Sequence, residues 1–361
     1  MTTAGRLSGK RVLLTGASSG IGLEAARLFA ADGARLALLA RGREALEESA
    51  RATGPDTVVL PVDLADRGAV EEAVEAAVAR LGGLDIVVSN AAAGAFGHLL
   101  EVDPDDFDRA VDITFRGAVN VVRAALPHLR DSRGTIIATG SVLSRVPMGA
   151  WSSYVAAKHA LRGFLNTISI EEREQRTGVR VAMVQPGVVD TPFWASATSA
   201  TRRKPRVLPQ AYAAGVVARA LVESAVKPKP EVLVGGATLL LDSTFALRRR
   251  IAERMLVVAD RWVRSGGEKA PHPGSLWEPT GRAHVGAGVR GRDSILAPAQ
   301  VGRGARPESP VLLRLLRQLG TAAREAVTLR DVLQRPVPEE RRRSAASDEG
   351  CAAAPREPAA T

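Results

Sequence analysis

Tyr154 and Lys158 stand four residues apart in the run Ser152-Ser153-Tyr154-Val155-Ala156-Ala157-Lys158-His159-Ala160, which reads as the start of a long helix. At that spacing two helical side chains share one face, one turn above the other. An ammonium beside a phenol favours the phenolate and draws a group with an ordinary pKa of about 10 towards the working range of a general acid or base. Upstream, Gly134-Thr135-Ile136-Ile137-Ala138-Thr139-Gly140-Ser141 reads as a buried strand that ends on a hydroxyl. If that strand end faces the helix, three polar groups converge on one point. A lone Tyr-x-x-x-Lys pair fits a solvated helix face better, so its meaning rests on the elements that would position it.

The first of these is Lys10-Arg11-Val12-Leu13-Leu14-Thr15, a short apolar strand. Gly16-Ala17-Ser18-Ser19-Gly20-Ile21-Gly22 follows at once, and then the helical pattern Leu23 to Ala30. A strand, a glycine turn and a helix in this order form the context of dinucleotide binding. The glycines let the backbone turn tightly and approach a pyrophosphate, while the helix N-terminus supplies amide donors and a favourable dipole. A second strand, Ala34 to Ala40, ends at Arg41-Gly42-Arg43. An acidic residue here would hold the ribose hydroxyls of NAD, whereas an arginine suits a 2′-phosphate. Ala40 takes the place of the acid and Arg41 follows it, which favours NADP(H) over NAD(H); the alternative is that Arg41 and Arg43 are surface charges opening the next helix.

The alternation continues. Thr57 to Val62 is a third strand ending on Asp63-Leu64, and a helix over Ala69 to Leu81 follows. Leu84 to Val88 is a fourth strand, ending in Ser89-Asn90-Ala91-Ala92-Ala93-Gly94. Strands that alternate with helices imply an α/β protein with a parallel sheet covered on both faces. Ligands of such sheets sit beyond the carboxyl ends of the strands. Gly16, Arg41, Asp63, Asn90 and Ser141 all fall at such ends.

On these residues the chain resembles the classical short-chain dehydrogenases/reductases over roughly residues 8–240. The matching elements are Thr15-Gly16-x-x-x-Gly20-Ile21-Gly22, Asp63, Asn90-Ala91, Ser141, Tyr154-x-x-x-Lys158, and Pro186-Gly187 with Thr191. The resemblance implies a single Rossmann-type, doubly wound domain with a seven-stranded parallel sheet. It also implies that Tyr154 is the general acid that protonates a carbonyl oxygen as hydride arrives from the nicotinamide, or the base in reverse. Ser141 would polarise the same oxygen, and Lys158 would bind the nicotinamide ribose and lower the tyrosine pKa. Preorganised donors of this kind stabilise an alkoxide that exists only in the transition state. Further carry-over puts Ser18, Ser19 and Ile21 at the phosphates, Asp63 and Leu64 at adenine, and Asn90 and Ala91 along the cofactor. Pro186 and Gly187 would open the loop over the nicotinamide, and Thr191 would meet its carboxamide. A homo-oligomer is expected.

Three departures matter. The family's Asn-Asn-Ala-Gly reads Ser89-Asn90-Ala91-Ala92, and its Asn-x-x-Gly reads Thr114-Phe115-Arg116-Gly117, which puts the proton relay to the lysine in doubt. Where paired serines are common, the strand end reads Gly140-Ser141-Val142-Leu143-Ser144. Ser152 or Ser153 is a natural N-cap, and His159, on another helix face, is read as packing. Past a sixth strand over Val179 to Val184, the segment Phe193 to Val207 is the lid region. Phe193, Trp194, Val142, Leu143, Met148 and Trp151 could wall a pocket for an apolar carbonyl or secondary alcohol, or could be plain core. A helix over Gln210 to Ser224 and a strand over Glu231 to Val234 close the sheet.

The chain has 361 residues and 45% hydrophobic residues, enough for a sizeable core. Its net charge of +10 is uneven: residues 241–361 hold 21 Lys+Arg against 14 Asp+Glu, and residues 1–240 hold 28 against 25. With only 4% aromatics and no base-stacking platform, the basic bias does not point to nucleic acid. The single Cys351 permits no disulfide within the chain, and neither a signal-peptide core nor a membrane-spanning run is visible, so a cytoplasmic protein is expected. The scattered histidines and lone cysteine offer no metal-ligand cluster. Residues 241–334 read as an extension of helical and turn-rich segments, of a type found after the core in some bacterial members of the family. Phe245, Leu247, Ile251, Met255, Leu256 and Trp262 fall near helical spacing, and their stripe suits packing or dimerisation more than a membrane surface. A second helical stretch spans Val311 to Leu333 and could dock a partner or membrane. Residues 335–361 have the composition of a disordered tail. The competing reading is a cofactor-bound sensing or interaction protein that uses this basic region for partners.

Overall fold

A computed structural model describes residues 5–201, 203–208, 211–268, 274–279 and 285–286. The alternation read from the sequence is present from the first strand. β1 (Arg11–Thr15), α1 (Gly20–Ala31), β2 (Arg35–Ala40), α2 (Arg43–Arg51), β3 (Val58–Pro61), α3 (Arg67–Leu81) and β4 (Ile86–Ser89) follow in order. After a short strand, β5 (Ala95–Phe96), come α4 (Pro104–Val111), a π-helical turn (Asp112–Arg116), α5 (Gly117–Ser132), β6 (Thr135–Thr139), a 3-10 turn (Val142–Ser144) and α6 (Ser152–Glu174). The chain continues through β7 (Arg180–Pro186), β8 (Val189–Asp190), α7 (Phe193–Ser196), β9 (Thr198–Ser199), β10 (Tyr212–Ala213), α8 (Ala214–Val226) and β11 (Glu231–Val234). Three further helices, α9 (Gly236–Leu247), α10 (Arg249–Arg264) and α11 (Gly274–Trp277), lie beyond it.

The main sheet has seven parallel strands in the order β11-β7-β6-β4-β1-β2-β3. Successive residues of a strand point to opposite faces, and this period builds two cores. Val12 and Leu14 join α1 and α8 on one face, while Leu13 between them joins α3, α5 and α6 on the other. Burial on both faces explains why β1 and β4 read as continuous apolar runs rather than alternating ones. From β1 the chain winds one way through β2 and β3, then returns to wind the other way from β4. The reversal opens a crevice at the carboxyl ends of β1 and β4, where doubly wound sheets bind ligands.

The elements beyond residue 240 differ from the single amphipathic helix that the spacing suggests. Arg248, at φ −139° and ψ 56° and so outside the helical region, divides it into α9 and α10. Leu241, Phe245 and Leu256 pack on Val142 and Val146, and Trp262 and Val263 pack near Trp151. Leu247, Ile251 and Met255 face outward. Arg145 fixes α9 by donating to Asp242 and Glu231, and Arg162 joins the same carboxylate of Glu231. Two smaller expectations also change. Trp151 holds the N-cap position of α6 in place of Ser152 or Ser153, neither of which makes a capping bond. His159 is exposed, with Nδ1 at 2.9 Å from the Val155 carbonyl. The stretch Val311 to Leu333, the tail 335–361, and Gln210 at the expected start of α8 lie outside the described residues.

Candidate active site

The crevice begins at the glycine loop. Gly16 has φ +66, and a Cβ there would lie 2.8 Å from Ala91 Cα; one on Gly22 would lie 2.0 Å from the Gly16 carbonyl oxygen. Both positions exclude any side chain, which keeps the loop backbone open towards the N-terminus of α1. Ser19, the N-cap of α1, is extended and makes no side-chain capping bond, so its hydroxyl is not spent on the helix. Thr191 closes over this end: a Cβ on Gly20 would meet its Cβ and Cγ2 at 3.3 Å.

Asn90 ties three strand ends together. Its Nδ2 donates to the carbonyls of Thr15 and Gly16, and its Oδ1 accepts from Thr139 Oγ1 at 3.0 Å. The Thr15 hydroxyl accepts from the backbone amides of Asn90 and Ala91. The side chain predicted to run along a cofactor therefore also sets the width of the crevice.

Ser141, Tyr154 and Lys158 converge at the end of β6. Ser141 Oγ accepts from Leu143 N at 3.1 Å, and Ser144 Oγ accepts from Ser141 N at 3.1 Å, a reciprocal capping box around the 3-10 turn. Ser144 thus holds the serine's backbone in place, a role that the sequence alone does not assign. The Ser141 side chain lies near enough to the Tyr154 phenol to favour its ionised form. Lys158 is buried, its Nζ donates to the Thr139 carbonyl at 2.7 Å, and the ammonium lies 5.5 Å from the Tyr154 ring centroid.

Burial, rather than the lysine charge, dominates the electrostatics. Desolvation pushes the Tyr154 phenol above its ordinary value, partly offset by Ser141, and draws Lys158 down to about 7. The lowering of the phenol expected from the four-residue spacing is overridden here. Thr114 lies in the π-helical turn, fully buried, and its hydroxyl both donates to the Ala93 carbonyl and accepts from the Ala93 amide at 2.9 Å. That hydroxyl binds the Ala93 backbone and has no hydrogen left for a relay towards Lys158.

The aromatic lid forms one cluster. Trp151 stacks on Phe193 at 5.4 Å, Phe193 lies 5.1 Å from Tyr154, and Trp194 Nε1 donates to the Val189 carbonyl at 2.8 Å. Met148 packs with this cluster and also with Val142 and Leu143. The six predicted wall residues are therefore contiguous, with the phenol at their edge. Pro186 ends β7, and Gly187 follows under Thr238.

At the other end of the crevice, Arg41 and Asp63 meet a part of the chain that sequence reading does not connect with them. Arg41 donates to the carbonyls of Ser275, Leu276 (2.7 Å) and Glu278 (3.4 Å). Asp63 is paired with Arg109, whose Nε donates to the Leu276 carbonyl at 3.1 Å. Leu64 is buried beside Gly117 and accepts from Asn120 Nδ2. Arg109 is the residue most easily missed, because its partners lie 46 and 167 positions away and no local pattern marks it.

A parallel sheet with this crevice and a Ser-Tyr-Lys trio at one strand end defines a nucleotide-dependent oxidoreductase scaffold. The family model for short chain dehydrogenase matches residues 10–202. The chain belongs to the short-chain dehydrogenase family and is an oxidoreductase acting on CH–OH groups. It is 30% identical over 293 residues to the uncharacterized oxidoreductase YxnA of Bacillus subtilis, covering 80% of this chain and 81% of that protein. It is 33% identical to the L-fucose dehydrogenase of Rattus norvegicus, over 56% of this chain and 74% of the relative. The alcohol dehydrogenase of Thermococcus sibiricus, solved with 5-hydroxy-NADP, superposes with a TM-score of 0.56 at 29% identity, covering 62% of this chain and 95% of that structure.

Proposed function

We propose that the chain is an NADP(H)-dependent carbonyl reductase or secondary-alcohol dehydrogenase for an apolar small molecule, with Tyr154 as its general acid/base. The observation that carries this reading is the convergence of Ser141, Tyr154 and Lys158 beside a glycine loop in which Gly16 and Gly22 leave no room for a Cβ. Gly16, Ser18, Ser19, Gly20, Ile21 and Gly22 would hold the phosphates. Arg41, Asp63 and Leu64 would hold the adenosine end, and Asn90, Ala91, Pro186, Gly187 and Thr191 the remainder. When bound, the nicotinamide supplies or accepts the hydride. Tyr154 gives its phenolic proton to the substrate oxygen, and Ser141 donates a hydrogen bond to the same atom. A phenol raised by burial keeps its proton at neutral pH, which supports carbonyl reduction as the working direction. Lys158, drawn to about 7, takes up or releases a proton near neutrality and orients the phenol from below its ring. The aromatic cluster around Trp151 and Phe193 supports an apolar substrate.

The reading is tested by following NADPH absorbance against ketones, aldehydes and secondary alcohols. Tyr154→Phe should lower turnover of an accepted substrate by about 10²- to 10⁴-fold; unchanged turnover would remove Tyr154 from the chemistry. Thr114, spent on Ala93, favours a second reading as a cofactor-bound sensing or interaction protein. That reading requires nucleotide binding with no turnover across the panel. The same proposal keeps 8–240 as the catalytic core, 241–334 as an extension and 335–361 as a tail. The groove between α5 and α6, lined by Val119, Leu126, Phe164 and Ile168, supports a homo-oligomer, to be checked by light scattering. The lone Cys351 supports a cytoplasmic setting.

A further inference from the structure

The segment Gly274 to Glu278 crosses the adenosine end of the crevice as a strap, and its contacts are specific. Leu276 is fully buried among Ala93, Ala95, Val102, Ala110 and Ile113. Its carbonyl accepts from both Arg41 Nη1 (2.7 Å) and Arg109 Nε (3.1 Å). Arg41 donates to two further strap carbonyls, those of Ser275 and Glu278. Trp277 lies 5.4 Å from the Arg109 guanidinium and donates through Nε1 to Asp106 at 2.7 Å. At its other end the strap meets the lid: Ser275 Oγ is 3.4 Å from Ser196 Oγ, and a Cβ on Gly274 would lie 2.5 Å from the Ser196 carbonyl oxygen.

Two guanidinium groups thus converge on one neutral oxygen. A carbonyl satisfies hydrogen-bond donors but neutralises no charge, whereas a phosphate does both and takes arginines in bidentate fashion. Asp63 hydrogen-bonds Arg109 and acts on Arg41 only through space, so its one charge faces two cations; among the described residues no carboxylate hydrogen-bonds Arg41. The pair is therefore suited to a negatively charged group, which the neutral carbonyl it holds is not.

We propose that Arg41 and Arg109 together form the 2′-phosphate subsite, and that the strap Gly274–Glu278 is its built-in occupant, displaced when a 2′-phosphorylated nucleotide binds. This rests on the NADP(H) reading above and adds a second arginine and a competitor to it. NAD(H), with a neutral 2′-hydroxyl, makes no claim on these donors and binds without evicting the strap. Because the strap also touches Ser196, its release at the adenosine end loosens the lid beside Phe193 and Tyr154. The strap therefore sets cofactor preference and links it to substrate access.

The test is calorimetric binding of NADP⁺ and NAD⁺ to the full-length protein and its variants. Leu276→Gly removes the apolar anchor, and Trp277→Ala, at a half-exposed position, removes the stack and the Asp106 bond without entering the core. If the strap is docked about ten times as often as it is open, either variant should bind NADP⁺ roughly tenfold more tightly with NAD⁺ unchanged. Adding Arg109→Gln to Leu276→Gly should then weaken NADP⁺ by about tenfold or more and leave NAD⁺ as it was. If both strap variants leave NADP⁺ affinity unchanged, or strengthen both nucleotides equally, the strap is not a competitor and the proposal falls while the cofactor reading stands. If Arg109→Gln weakens both nucleotides alike, Arg109 is a structural partner of Asp63 and the two-arginine subsite is refuted. If neither nucleotide binds any form of the protein, the cofactor reading itself has failed.

Discussion

Replacing Lys158 by Met should flatten part of the protein's pH dependence of stability between pH 7 and 9. The lysine is buried, with a neutral carbonyl as its hydrogen-bond acceptor, and desolvation draws it from 10.5 to about 7. A folded-state value below the unfolded one means that between about 7 and 10.5 the unfolded chain binds more protons. Stability must then rise with pH across that window, and below about 7 both states are protonated and the full cost of burying the charge is borne. With those two values the wild-type protein gains ~2 kcal/mol between pH 7 and pH 9 from this residue alone. Tyr154, raised by burial, stays protonated over the same range and adds no opposing slope. Methionine fills a similar volume without a charge, so the variant lacks this gain. At pH 7 it is also relieved of most of a ~5 kcal/mol burial cost, less the lost bond to Thr139. Urea denaturation of both proteins at several pH values gives the difference directly. If the deficit of the wild type relative to the variant is the same at pH 7 and pH 9, or widens as the pH rises, the reasoning from desolvation is refuted.

Other substitutions test the positioning elements. Thr114→Val should cost ~1–3 kcal/mol in denaturation, because both the amide and the carbonyl of Ala93 lose their partner. It should leave the pH profile of turnover in place, since the hydroxyl is not in a relay. Gly22→Ala should abolish nucleotide binding in a calorimetric titration, because its Cβ would fall 2.0 Å from the Gly16 carbonyl oxygen. Arg130→Met should destabilise by about 2 kcal/mol, allowing for the exposure of Arg130, because it removes the cation paired with the buried Glu172 and leaves Thr177 Oγ1 as a neutral donor to its carboxylate. Arg130 holds that carboxyl below its ordinary value, so its contribution is present above the ordinary carboxylate range and lost as pH falls. Acid unfolding of Arg130→Met should therefore begin at higher pH than in the wild type.

The core fold was readable because each of its decisions is local. The apolar runs of β1 and β4, the glycine turn before α1 and the strand ends at Asn90 and Ser141 are short-range patterns, and parallel topology follows from their alternation. The helix through Tyr154 was legible for the same reason. What eluded the sequence was set by burial and by distant contacts. The spacing of Tyr154 and Lys158 suggests that the ammonium lowers the phenol, but the sign of the effect depends on how much water both groups lose, a sum over the whole fold. Arg41 reads as a phosphate ligand from its place after β2, yet its partners are carbonyls 234 to 237 residues away. Thr114 reads as a weakened relay residue, whereas its hydroxyl is closed on Ala93, across a loop that no periodicity describes.

The position of the strap along the chain also gives the protein an order of assembly. Every strand of the main sheet, the last being Glu231–Val234, precedes Leu276 in sequence. At about 5–20 residues added per second during synthesis, the intervening stretch takes seconds to emerge. A nascent chain therefore has its nucleotide crevice before it has the segment that covers one end of it. On the proposal above, a 2′-phosphorylated nucleotide that meets the nascent chain would find Arg41 and Arg109 free of Leu276, whereas one that meets the finished protein must displace its carbonyl.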